Sequence, residues 1–195
     1  MSAAARNGMQ SCAHTSTESR RPQVTPVGAV ARGAAAGVVG TLAMDLWLYA
    51  QYRREHGDEP FAEWEFSSDV TDWDKAPAPA QVGRRIIDGL FERTLPDSRA
   101  RLTNNVMHWG YSLSGAVVYA MVAASLRKPR TGYGLIFGAG MWAFSYVILP
   151  PMRLYKPITE YDAKTLGKDL AAHLVYGLGT AAAFTLLLSR RGGRR

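Results

Sequence analysis

Apolar residues in this chain fall into four long blocks that carry almost no charge, separated by segments where charge is dense. Neither Leu102 to Leu126, nor Thr131 to Met152, nor Leu170 to Ser189 contains a single Asp, Glu, Lys or Arg, and Gly33 to Tyr52 contains only Asp45. A helix crossing a bilayer core takes roughly 20 mostly apolar residues, and buried helices of soluble proteins rarely reach that length uncharged four times over. The pattern predicts an all-α polytopic membrane protein. Its four transmembrane helices are expected at about 27–52, 104–126, 132–151 and 169–189, within a transmembrane domain spanning 27–189.

The intervening segments read differently. Residues 1–26, rich in Ser, Thr, Arg and Gln with Pro22 and Pro26, lack apolar periodicity and read as a disordered basic tail, and 190–195 is a second basic tail. The first connection, 53–103, is the one sizeable polar part. It opens with EHGDEPFAEWEFSSDVTDWDK, is broken by Pro77 and Pro79, and continues with QVGRRIIDGLFERTL. There Val82, Ile86, Ile87, Leu90 and Phe91 recur at helical spacing opposite Arg84, Arg85, Asp88, Glu92 and Arg93. This predicts a short amphipathic helix lying on the outer membrane surface or capping the bundle.

Charge sets the orientation. The net charge of +7 invites a nucleic-acid reading, but the basic residues border apolar runs instead of gathering on one face, which argues against it. The N-terminal tail, the connection holding Arg127, Lys128 and Arg130, and the C-terminal tail share one acid, Glu18. With four spans these segments lie on one side, and the positive-inside rule makes it cytoplasmic. Both termini are therefore expected inside a plasma membrane, with the bilayer as the first partner. Arg32 opens a run too long for a cleaved signal, and the lone Cys12 excludes an intrachain disulfide or a cysteine metal cluster.

Small residues recur at spacing four: Gly33, Gly37 and Thr41 in the first helix, Gly134 and Gly138 in the third, His173, Gly177 and Ala181 in the fourth. In lipid, such stripes are contact faces. Asp45 continues the first stripe, so it points at other helices, where an unpartnered carboxylate costs about 2.5–3.5 kcal/mol at mid-helix. The topology puts His108, Tyr146 and His173 at a similar outer depth. Asp45, His108, Tyr146 and His173 therefore form a candidate intramembrane polar site. Such a site can exchange a proton. Two imidazoles and a carboxylate are also a ligand set for a divalent transition metal, though no HExxH-like spacing supports one and no cofactor is predicted. The rival readings are duller: interhelical glue for Asp45 and His173, an aromatic-belt anchor for His108 beside Trp109 and Tyr111. The acidic run from Glu55 to Asp74 lacks an EF-hand pattern and reads as a solvated surface.

The motifs GAAAGVVGTLAMD, NNVMHWGYSLSGAVVYA and HLVYGLGTA, in that order, resemble the YagU-like family of bacterial four-helix inner-membrane proteins. The resemblance implies a link to acid resistance with no established catalysis, and carries Asp45, His108 and His173 onto recurring polar positions of that family. The long first connection departs from its pattern. The expected function is an outer-leaflet polar site in acid response or in proton or ion handling. The alternative is a scaffold, homo-oligomeric or binding an envelope partner through its acidic segment. A lipid enzyme using His108 or His173 as acid or base is a third class, but no nucleophile motif or phosphate loop supports it.

Overall fold

A computed structural model describes residues 25–126 and 129–189. The tails and the Arg127–Lys128 pair, on which much of the expected orientation rests, lie outside the described residues. The chain is all-helical, with no strand among the described residues: α1 (Pro26–Arg54), α2 (Phe61–Glu65), α3 (Ala78–Phe91), α4 (Ala100–Ser125), α5 (Tyr133–Ile148) and α6 (Ala163–Ser189).

Helix ends follow local chemistry. α1 starts at Pro26 because Thr25 caps it, its Oγ1 accepting from the Gly28 N–H at 3.1 Å. α5 stops at Ile148, three residues before the expected end, since Pro150 and Pro151 disfavour helix in the residues before them. α6 begins six residues earlier than expected, where Asp162 accepts from the Thr165 N–H at 2.9 Å. The five-residue α2 was not expected at all.

α1 is the spine of the bundle, packing on α4 along one side and α6 along the other; α5 packs on α6, and α3 on α4. The glycine stripes mark these seams. A Cβ on Gly37 would stand 2.7 Å from the Ala116 Cβ of α4, and one on Gly40 would stand 2.7 Å from the Tyr176 carbonyl of α6. Between α5 and α6 the backbones touch, with a Gly138 Cβ only 2.2 Å from the His173 carbonyl oxygen. Inside the bundle, small side chains at the seams (Ala36, Ala116, Ala120 and Ala181 are fully buried) surround a few large ones, Phe184, Tyr176 and Tyr119. Other large apolar side chains face outward, among them Leu46, Val118, Val122, Ile136, Val147 and Leu186.

α1 and α6 are long and apolar enough to cross a membrane. α4 has 26 residues but a polar opening, and α5 is apolar but has only 16, about 24 Å at 1.5 Å per residue. α3 forms where the sequence predicts an amphipathic helix and packs on α4 with only part of the predicted apolar face inward. It buries Ala80 and Gly83 against α4 and a small satellite core of Val70, Trp73 and Ala100, while Ile86, Leu90 and Phe91 remain exposed.

Candidate functional site

Asp45 sits one turn beyond Thr41 on the face of α1 that meets α4 and α6, and is 2 % exposed. Opposite it on α4, the His108 Nε2 lies 3.2 Å from Oδ1 and 3.3 Å from Oδ2. A carboxylate only accepts, so this nitrogen carries the hydrogen. The two residues are 63 positions apart in the chain, and the α1–α4 glycine seam is what brings them together.

A third group joins from the long connection. After α1 the chain reverses through His56 at φ 71° and Gly57, whose missing side chain leaves room for the Tyr52 ring. The Tyr49 hydroxyl donates to the Glu59 carbonyl at 2.9 Å, and the Glu59 N–H donates to the Tyr52 hydroxyl at 3.3 Å. Phe61 and Trp64 then stack on these tyrosines, with centroids 5.2 and 5.5 Å from the Tyr49 ring. α2 is thereby laid over the end of α1. From the other side the opening of α4 grips the next two residues: Arg101 and Asn105 donate to the Phe66 carbonyl at 2.8 and 3.0 Å, and Asn104 donates to the Ser67 hydroxyl at 2.8 Å. Held at both ends, α2 turns its last residue, Glu65, inward to 8 % exposure.

Ligand atoms of Asp45, Glu65 and His108 all lie within 4.8 Å of one another. Glu65 Oε1 has no hydrogen-bond partner among the described residues. Burial first, and the Asp45 carboxylate second, push the Glu65 carboxyl up to about 7, against the opposing pull of the His108 ring and the Trp109 indole N–H. Two ionised carboxylates buried at this spacing repel each other, and either a proton held by Glu65 or a cation between them relieves the cost. Two carboxylates and one imidazole form an oxygen-and-nitrogen donor set able to hold a divalent cation such as Zn²⁺ or Mn²⁺.

The expected four-residue site is therefore divided. His173 does not join Asp45: its Nδ1–H lies 2.9 Å from the Asp169 carbonyl and 3.4 Å from Asp169 Oδ1, both on its own helix. A carboxylate one turn away captures the ring without any help from the fold. Tyr146 is buried among Trp142, Tyr155 and Tyr161, at centroid distances of 5.2, 5.4 and 5.5 Å. The two histidines nonetheless line one cavity of about 400 Å³.

Glu65 is the residue that sequence reasoning missed, because it belonged to an acidic run read as solvated. The available signal was its setting in FAEWEF, where aromatic neighbours had to pack against something and carry the acid with them. No protein-family model, curated protein or solved structure matches the chain, so the site stands on its geometry.

Proposed function

We propose that the chain is a four-span plasma-membrane protein of the YagU-like kind, with both termini cytoplasmic, that handles a cation at its outer end through Asp45, Glu65 and His108. The observation carrying this is the convergence of two buried carboxylates and an imidazole from three separate elements within 4.8 Å. Membrane embedding is supported by the inverted packing, with glycine and alanine at the helix seams and large apolar side chains on the outside. The exposed Ile86, Leu90 and Phe91 of α3 suit a helix resting in the headgroup region. Protons compete with a metal for the same oxygen and nitrogen atoms, which links such a site to external acidity.

The test is titration of the chelator-stripped, detergent-solubilised full chain with Zn²⁺ and with Mn²⁺ by calorimetry. One equivalent should bind, and Asp45→Asn or Glu65→Gln should each weaken binding at least about tenfold. No binding, or binding that ignores both substitutions, would remove the proposal. Topology is tested separately through the native Cys12: a membrane-impermeant thiol reagent should label it only after cells are lysed, and labelling of intact cells would reverse the orientation.

A further inference from the structure

α4 and α5 are consecutive, yet each packs on a different partner, α4 on α1 and α5 on α6. The space between them is bridged by side chains: the Tyr119 and Phe137 rings at a 4.9 Å centroid distance, and the Met141 thioether lying over Gly115. Two cavities lie on this side of the bundle, sharing no wall residue, on either side of the Tyr119–Phe137 and Met141–Gly115 contacts. One, about 330 Å³, lies toward the start of α5 between Val118, Val122, Ile136 and Phe137, and its walls are apolar. The other, about 400 Å³, lies toward the end of α5 and carries Tyr111, Tyr155, Asp169 and both histidines. Each has the size of a small-molecule site. Val118, Val122 and Ile136 are more than half exposed, so the apolar half opens sideways, where a bilayer would supply hydrocarbon.

We propose that this groove binds a neutral amphiphile with one hydrocarbon tail and a hydroxyl-bearing head, of the monoacylglycerol class. The tail lies along the Val118–Phe137 half and the head among Tyr155, His173 and Tyr111. Head charge is decided by the walls. Among the described residues no Lys or Arg lines the larger cavity, its two imidazoles are each paired with a carboxylate, and the Asp169 carboxylate stands in its wall, so an anionic head would be desolvated there against a like charge. Arg85 reaches only the Met152 carbonyl at the rim. The hydroxyl requirement follows from His173: its Nδ1–H is committed to Asp169, which leaves Nε2 as an acceptor in the neutral ring. Tyrosine hydroxyls nearby both donate and accept. Met44, Met107, Met141 and Met152 line the same cavity and give it walls that adapt to a flexible ligand. The inference takes the bundle to lie in a bilayer, as proposed above, but does not depend on the cation cluster.

The experiment titrates the full chain in a non-ionic detergent with monoolein, oleate and methyl oleate, followed by native mass spectrometry. These share a tail and differ only in the head. Monoolein should bind one to one and about tenfold or more tighter than the other two. His173→Leu should reduce monoolein to the level of methyl oleate. Gly115→Leu, whose added Cβ meets first the flexible end of Met141 at 2.8 Å and then the Tyr176 hydroxyl at 3.5 Å, should drive the Met141 side chain into the groove and abolish binding. Val122→Trp at the exposed rim serves the same purpose should Gly115→Leu fail to fold. Glu65→Gln should leave monoolein binding intact, so a failed cation site and a failed groove give different results. Equal binding of all three probes, a preference for oleate, or indifference to both groove substitutions would overturn the assignment.

Discussion

Among the described residues two carboxylate–imidazole pairs are built in opposite ways. His173 and Asp169 are four residues apart on α6 and meet because a helix puts such positions on one face. Asp45 and His108 come from different helices, and Glu65 reaches them from a third element. The local pair exists wherever α6 is helical. The distant cluster exists only if α1, α4 and the 55–67 connection are all in place. A pair that forms on its own helix can fix the orientation of a ring, as Asp169 does for His173, but it concentrates little charge. A cluster assembled by the fold can force two carboxylates together, and that crowding is what the proposed cation would relieve.

The contrast can be broken most strongly through the α5–α6 seam. Gly138→Leu drives a Cβ into the His173 carbonyl, 2.2 Å away, and should cost about 3 kcal/mol or more as backbones separate. The same change at Gly140, with nothing among the described residues within 4 Å, should stay within about 0.5 kcal/mol. Thermal unfolding in detergent compares the two directly, and equal effects would mean the seam does not form as described. Next in size is cation affinity: His173→Ala should change Zn²⁺ binding less than about threefold, against the tenfold or greater loss expected for Asp45→Asn.

A pH scan gives a smaller effect. The folded Glu65 carboxyl keeps its proton up to about 7, whereas its ordinary value is 4.5. Between those values the folded state binds more protons than the unfolded state, so stability is highest below the window and falls as pH rises through it. Chelator-treated protein should melt lower at pH 8 than at pH 5, and Glu65→Gln should flatten the difference. A slope unchanged in that variant would show that Glu65 is not the group responsible. Smallest of all, Asn105→Ala removes one of three hydrogen bonds holding the chain after Glu65 and should cost about 1 kcal/mol. Its accompanying loss of cation affinity should be only a few-fold by calorimetry, and a loss as large as that of Asp45→Asn would make Asn105 part of the site itself.

Several of these features were legible before any coordinates. The inward aim of Asp45 could be read because a stripe of Gly37 and Thr41 precedes it at helical spacing, and the glycine seams could be read for the same reason. The α3 helix was legible as an element, but not its contacts. Its Gly83 packs on Thr103 and Met107 of α4 while its large apolar residues stay outside, because close approach to a neighbouring helix favours the smallest side chain. Depth groups His173 with Asp45, whereas the fold pairs it with Asp169. Depth in a membrane is a coarse coordinate, and a carboxylate one turn away on the same helix outcompetes one across the bundle.

Taken alone, the order of residues determines where helices form, which faces are small, and that one carboxylate lies within an apolar run, since these depend on local periodicity and on the cost of burying charge. Which acid of a crowded acidic segment turns inward is decided elsewhere. Glu65, and not Glu63 or Asp69, meets Asp45 and His108 because the Tyr49–Trp64 aromatic stack and the Asn104–Asn105 clamp hold α2 from two sides. Those contacts join positions far apart in the chain, and only the packed tertiary structure brings them into reach.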